Sequence, residues 1–433
     1  MRVLFLNNFY YLRGGSERVL FEEMRMLREA GHEVAVYSRT HEKNEPSEFS
    51  AFFPPPLDTG RLTVSLRSLR SVGELVYSRP ARKGLEEVIS RFRPEIAHAH
   101  NIYGHLSTSV LDVLKEQNIP VVLTLHDFKY ICPSYLMLDH GMVCEQCRGG
   151  RYHRAVMAGC HKNSRLASAV YAFETWFNDV FGKYGSVACF IAPSRFLRDK
   201  VIHFGKDPGT IVHIPNCIET RDRAILPDPG CYSLFFGRLS KEKGVATLLQ
   251  ALKGMPIRTG LVIAGDGPDR ARLESMARKH SLPVTFTGHL SDSDLERTIA
   301  GSRVVIVPSE WYENAPLSIL EAFACSKPVI GARIGGIPEM IDEGKNGYLF
   351  EPGNAADLRR HWSACMQMQR EQVCAMGANA RRKAEEHYNE KNHSARLIDL
   401  YLRVLLTRRA GEQGTLYGTA AEPQEACCHK EYS

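Results

Sequence analysis

The sequence predicts an α/β protein made of two similar halves, each a parallel sheet covered on both faces by helices. Three observations carry this. Short apolar runs alternate with amphipathic stretches from the first residues onward. A charged stretch with Pro and Gly but no periodicity, "IETRDRAILPDPGC", breaks the alternation near the middle. A second alternation of the same kind then begins. Strands that alternate with helices form parallel sheets buried on both faces. With 433 residues, 44% of them hydrophobic and 24% charged, the chain is long enough for two full cores.

The elements follow in order. "RVLFLNN" reads as a buried strand. After the loop "RGGSE", an amphipathic helix runs from about Ser16 to Ala30, with Ser16 suited to cap it. Gly31 suits the left-handed position that closes it. "HEVAVYSR" is the next strand. "EIAHAH", "PVVLTL", "ACFIAPS" and "TIVHIP" complete the first half, residues 1–215. The second half, 216–389, has strands "YSLFFG", "TGLVIAG", "VTFTG", "RVVIVPS", "KPVIGA" and "GYLFEPG". Helices from about Lys243, from about Pro268 and over "APLSILEAFACS" fall between them. More helical stretches follow, to about residue 409. The tail 410–433 lacks an apolar pattern and is expected to be disordered. Two such halves place a ligand cleft between them, at the carboxyl ends of the strands.

Bulk properties exclude some functions. A net charge of +6 is too modest for a dedicated nucleic-acid binder. No apolar run is long enough to span a bilayer, and the first residues lack the features of a secretory signal. A cytoplasmic protein is the expectation. Basic residues thicken between Arg61 and Arg93. They read first as a solvated helix face, and otherwise as a surface for anionic lipid headgroups or a phosphate-bearing acceptor.

Four stretches at strand ends carry candidate chemistry. "ENAPLSILE" places Glu313 in a loop, Pro316 at a helix start and Glu321 within the helix. The amides of Ala315, Leu317 and Ser318, with the helix dipole, favour an anion. The two acids suit sugar hydroxyls on either side of it. Read alone, they could equally be ordinary first-turn and surface acids. "FGRLSKEKG" sets Arg238 and Lys243 in a strand-to-helix loop, where cations can clamp a diphosphate or simply be solvated. Gly14 and Gly15 allow close backbone approach to a ligand, although they do not form the dinucleotide fingerprint. His126, followed by Asp127, ends a buried strand and would face the cleft.

Taken together, these stretches resemble the retaining family-4 glycosyltransferases. "PSEWYENAPLSILEAFACSKPVIGARIGGIPEMI", "FFGRLSKEKG", "VIAGDGP", "TGHL", "RGGSERV", "HAHN", "LTLHD", "APS" and "IPNCIE" carry the likeness, over residues 1 to about 405. Ser326 and Cys217 stand where the family usually has Gly. The resemblance implies the GT-B fold, with two Rossmann-like domains facing across a cleft. A last helix, 390–409, crosses back to the first domain. It also implies a nucleotide-sugar donor and roles for matched residues. Arg238 and Lys243 would neutralise the donor diphosphate, with Gly14 and Gly15 nearby. Glu321 would hold the ribose hydroxyls. Glu313 and His126 would contact the donor sugar, with base contacts near "TGHL". The implied reaction is retaining hexosyl transfer to a glycan or lipid-linked glycan in surface polysaccharide assembly, with no catalytic metal. "DSD" at Asp292–Asp294 reads as helix capping rather than as a metal site. The alternatives are an epimerase or phosphorylase on the same fold, or a non-catalytic binder.

One cluster lies outside that pattern. Cys132, Cys144, Cys147 and Cys160 fall in an insert of about 129–165, spaced C-x11-C-x2-C-x12-C. Such spacing suits a tetrahedral thiolate site, with structural zinc first and an iron–sulfur cluster second. The plain alternative is four unconnected thiols. Set beside the acceptor side of the cleft, the insert would shape acceptor choice.

Overall fold

The computed structural model describes residues 1–57, 66–221, 223–226, 228–255 and 260–409. The tail expected to be disordered lies outside these residues. So do Arg61 and the side chains of Arg67 and Arg70 from the basic stretch.

The first half is a six-stranded parallel sheet. Its strands are β1 (Arg2–Leu6), β2 (Glu33–Tyr37), β3 (Ile96–Ala99), β4 (Val121–Thr124), β7 (Val187–Ala192) and β8 (Ile211–His213), in the order β2-β1-β3-β4-β7-β8. A small antiparallel hairpin, β5 (Leu138–Asp139) and β6 (Met142–Val143), stands apart within the Cys-containing insert. The second sheet holds β9 (Tyr232–Phe236), β10 (Gly260–Ala264), β11 (Val284–Gly288), β12 (Val304–Val307), β13 (Val329–Ala332) and β14 (Gly347–Phe350). Its order is β11-β10-β9-β12-β13-β14.

In each sheet the chain first winds one way and then the other. The reversal falls between β1 and β3 in the first sheet and between β9 and β12 in the second. Loops leaving strands at such a reversal splay apart and open a crevice. Gly14 and Gly15 follow β1. Arg238 and Lys243 follow β9, and Glu313 follows β12. The topology thus brings residues far apart in sequence to two crevices.

Burial explains the order of the layers. Val3, Leu4, Phe5 and Leu6 are all fully buried, as a central parallel strand requires. The helix Gly15–Glu29 turns Leu20, Met24 and Leu27 onto the first sheet, a helical spacing. The helix Glu390–Arg409 packs Leu397, Leu400, Tyr401 and Val404 into the same core. The chain therefore ends on the half where it began. Each fully buried Leu contributes about 1.5–3 kcal/mol relative to exposure, so this helix is a substantial part of the first domain's core.

Candidate active site

The loops after β9 and β12 are set by two close approaches. Gly244 has a φ of +68°, and a Cβ there would stand 1.8 Å from the Pro308 carbonyl oxygen. Only glycine lets the loop after β9 lie against the end of β12. Gly335, with a φ of +61°, would likewise collide with the Glu313 backbone. Gly336 donates its N–H to the Glu313 carbonyl at 2.8 Å. "RIGGIPEM" therefore clamps the Glu313 loop from behind.

Within that clamp Lys243 Nζ donates to Glu313 Oε1 at 2.6 Å, and Ser309 Oγ donates to the same oxygen at 2.6 Å. Glu313 is buried. Burial works to raise its carboxyl pKa, but the charge and hydrogen bond of Lys243, with Ser309, leave it below the ordinary value. Glu313 is thus held ionised. Lys243 has three donors, and Glu313 uses one.

Asn314, the next residue, reaches across the cleft. Its Nδ2 donates to the Leu125 carbonyl at 2.9 Å, and its Oδ1 accepts from Ser194 Oγ at 2.7 Å. The loop that carries Glu313 is thereby fastened to the end of the strand that leads into His126. His126 Nε2 lies 2.7 Å from His100 Nδ1, with the rings stacked. Burial, with His100 beside it, pushes the His126 imidazole down to about 3. It is a neutral hydrogen-bonding group at physiological pH. Asp127 is pushed up to about 6 by burial, although Tyr103 and the Lys129 amide bond to it.

Behind His126 stands a buried carboxylate, Glu23. It lies 3.4 Å from His100 Nε2, 3.3 Å from His98 Nδ1 and 3.0 Å from His393 Nε2. Tyr401 and His98 Nδ1 are 2.6 Å apart, and His98 Nε2 is 2.8 Å from Thr124 Oγ1. His393 and Tyr401 belong to the returning helix, so the carboxylate ties that helix to β3 and, through His100, to His126. Glu23, His98 and His100 bring ligand atoms within 4.8 Å of one another. Tyr401, Thr124 and His393 already engage this set, which describes a hydrogen-bonded core network.

Glu321 sits elsewhere. Its Oε1 accepts from Arg18 at 2.7 Å, and Arg18 also pairs with Asp292 at 3.0 Å. Burial raises the Glu321 pKa against the opposing pull of Arg18 and Arg223. These residues line an interdomain cavity of about 550 Å³, together with Leu317, Leu295 and Cys217. Glu313, Lys243 and His126 are not among its walls. The two carboxylates of "ENAPLSILE" therefore work in separate places. The helix itself spans Leu317–Ala324 with Pro316 at its N-cap, one position earlier than the first helical position the sequence suggested. The Leu317 and Ser318 amides lie in its first turn, where no intrahelical acceptor exists. Ala315 has its carbonyl 3.3 Å from Asn216 Nδ2.

The glycine loop differs from expectation in one respect. The helix begins at Gly15, and Gly14 is its N-cap with no side-chain bond. Ser16 lies inside the helix and donates to Glu17, so it does not cap. A Cβ on Gly15 would stand 3.4 Å from Leu317, the start of the helix Leu317–Ala324. Arg238 is exposed after β9, close enough for its charge to act on Tyr135 of the insert. Ser291 caps the helix Asp292–Ala300 by accepting from the Asp294 amide at 3.2 Å. That is the capping reading of "DSD".

Sequence reasoning missed Arg18, Asn314, Glu23, His100 and Glu145 as parts of this site. The His98–His100 pair at the end of β3 was a signal available in "HAHN". The partners of Arg18, and Tyr312 as a partner of Glu145, lie in the other half of the chain, and no local pattern points to them.

Two family models match the chain, "Glycosyltransferase Family 4" over residues 13–222 and "Glycosyl transferases group 1" over residues 218–383. A sulfoquinovosyl transferase of Arabidopsis thaliana is 28% identical over 371 residues. The match covers 81% of this chain and 63% of that relative's length. Among solved structures, a sucrose-phosphate synthase from Thermosynechococcus elongatus superposes with a TM-score of 0.70 at 19% identity, over 94% of this chain and 99% of that one. The Anabaena protein HepE, solved with UDP and glucose, superposes with a TM-score of 0.62 at 18% identity, over 92% and 99%. These likenesses show the GT-B fold.

Proposed function

This chain belongs to the group 1, family 4 glycosyltransferases, and from that premise we propose that it moves a hexosyl unit from a nucleoside-diphosphate sugar to a glycan or lipid-linked glycan, retaining anomeric configuration. Surface polysaccharide assembly is the setting we propose, at the cytoplasmic face of a membrane.

The Asn314–Leu125 hydrogen bond carries this reading, because it fastens the loop that bears the ionised Glu313 to the strand end that bears the neutral His126. A donor sugar held there would meet a carboxylate and an imidazole, both suited to hydroxyl groups. Its diphosphate would meet Lys243, Arg238 and the first-turn amides of the helix Leu317–Ala324. Departure of the nucleotide builds negative charge on that diphosphate, and fixed cations and dipoles stabilise it. Glu321 would hold the ribose in the cavity, releasing Arg18 as it does so. Glu313 is bonded to Lys243 and Ser309, so it serves as a fixed negative group opposite a sugar that turns oxocarbenium-like. The leaving phosphate would take the acceptor proton on the same face. A metal ion has no step in this scheme.

A helix face supports membrane contact. Leu166, Phe173, Trp176, Val180 and Phe181 are all exposed along or just past the helix Arg165–Val180. No helix among the described residues is long and apolar enough to cross a bilayer. Such a face would rest on the interfacial region.

A thermal-shift panel of UDP-, GDP- and ADP-sugars tests the donor class, since the true donor stabilises the fold by mass action. One of them should raise the melting temperature and then be turned over with an acceptor glycan. Proton NMR of the product should show the donor's anomeric configuration. An inverted product would refute the mechanism, and no shift with any nucleotide sugar would refute the activity.

A further inference from the structure

The insert after β4 contains a second site. Cys132, Cys144, Cys147 and Cys160 are free thiols, and all four line one small cavity of about 20 Å³. We propose that this cavity is a structural zinc site of four thiolates, and that the insert it fastens holds the Glu313 loop across the cleft through Glu145 and Tyr312.

The backbone brings the four together in a specific way. The hairpin β5–β6 folds the chain back between Cys132 and Cys144, and the Cys144 amide donates to the Met137 carbonyl at 2.8 Å. Two residues separate Cys144 from Cys147, and the Arg148 amide donates to the Glu145 carbonyl at 3.1 Å, closing a turn that contains Cys147. Gly149 and Gly150 then follow with φ of +71° and +76°, reversing the chain directly after the second thiol. The short helix His153–Ala158 then delivers Cys160, whose sulfur meets the Ala155 carbonyl at 3.6 Å.

Chemistry selects the ion. Four adjoining thiolates need a strong positive charge, and a soft tetrahedral cation supplies it. The space suits one ion, since a single water already needs about 10–15 Å³ by the same measure. No three of the four sulfurs lie within 4.8 Å of one another, a closeness met among the described residues by the Glu23 set. Zinc binding would therefore have to draw the sulfurs in, releasing their protons.

The site has a reach beyond the insert. Glu145, between two of the ligands, accepts from Tyr312 at 2.9 Å and from Lys200 at 2.6 Å. The Lys200 ammonium also lies 4.9 Å from the centre of the Tyr312 ring, and the Phe196 ring is 4.8 Å from it. Tyr312 directly precedes Glu313. A turn pinned on both sides of Glu145 therefore fixes the residue that grips the donor-side loop. Only the value of this grip for turnover rests on the function proposed above.

The test uses the full chain, purified without chelator, with metal content measured by plasma mass spectrometry. About one zinc per chain is expected, falling at least fivefold in Cys144→Ser/Cys147→Ser. Zinc-free protein, or iron in place of zinc, overturns the site. Hydrogen exchange over residues 310–316 tests the reach without using activity. Glu145→Ala should keep its zinc yet speed exchange there roughly tenfold, and stripping zinc from the parent should do the same. Unchanged exchange in Glu145→Ala overturns the link, whatever the fate of the glycosyltransferase reading.

Discussion

Glu313 and Glu321 belong to one segment, yet they hold opposite electrostatic states. Glu313 takes both of its side-chain partners, Lys243 and Ser309, from its own domain, and its carboxyl sits below its ordinary pKa. Glu321 takes its cation from Arg18 of the other domain, and burial keeps its carboxyl above its ordinary pKa. The difference shows that one end of the cleft is preorganised and the other depends on how the domains meet. A carboxylate satisfied within its domain keeps its state when the cleft opens. One satisfied across the cleft loses its partner as the cleft opens, and a ligand can take that partner's place.

The largest test removes the preorganised end. Lys243→Ala should lower kcat by about 10²–10³, the usual cost of one fixed charge that stabilises the leaving group. A change confined to KM would show that Lys243 serves only ground-state binding.

Stability against pH separates the two acids next. Glu313 has a depressed folded pKa, so its contribution is present above about 4.5 and is lost as pH falls through the folded value. Glu313→Gln should therefore destabilise by about 2 kcal/mol at pH 7, the scale of charged hydrogen bonds, with the loss shrinking in acid. Glu321 has a raised folded pKa, so its ionised form costs stability above that value and the cost fades below about 4.5. Glu321→Gln should match or exceed the parent at pH 7 and lose any advantage in acid. Urea melts from pH 7 to pH 3 measure both. If the two variants change with the same sign, the comparison breaks.

Donor affinity should follow the other end. Glu321→Ala should weaken nucleotide-sugar binding by about 10–30-fold, the loss of paired hydroxyl bonds. Arg18→Ala should tighten it, because the ribose no longer competes with an ion pair. Isothermal titration with the donor identified in the thermal-shift panel reads both, and weaker binding in Arg18→Ala would place Arg18 on the donor instead.

The smallest effect concerns the helix that carries Glu321. Ser326 has a φ of +55° just beyond its end, a conformation in which a side chain is strained. Ser326→Gly should stabilise the fold by about 0.5–1 kcal/mol, visible as a higher denaturation midpoint with activity unchanged. A lower midpoint would mean that the serine side chain makes up for its own strain.

Much of this architecture was legible in the sequence because its signals are local. Each strand named from an apolar run is present in the two sheets, and Gly31 ends its helix at a φ of +81°. Lys243 and Glu313 drew attention because both follow buried strands. Ser16 misled because a serine before a helical pattern usually caps it, whereas here the helix starts one residue earlier. The Cys132–Cys160 spacing was legible as a group. Its tie to Tyr312 was not, since Glu145 and Tyr312 lie 167 positions apart.

By itself the sequence determined the alternation of strands and helices, the glycines that permit close approach, and which residues end up on strand-end loops. These follow from periodicities and backbone limits that act over a few residues. Only the tertiary structure decided that Arg18 meets Glu321 over 303 positions and that Glu23 meets His393 over 370. It alone set His126 neutral, Glu313 charged and Glu321 reluctant to ionise. A pKa depends on solvent exclusion and on charges within a few ångströms, and those neighbours exist only after the chain has folded.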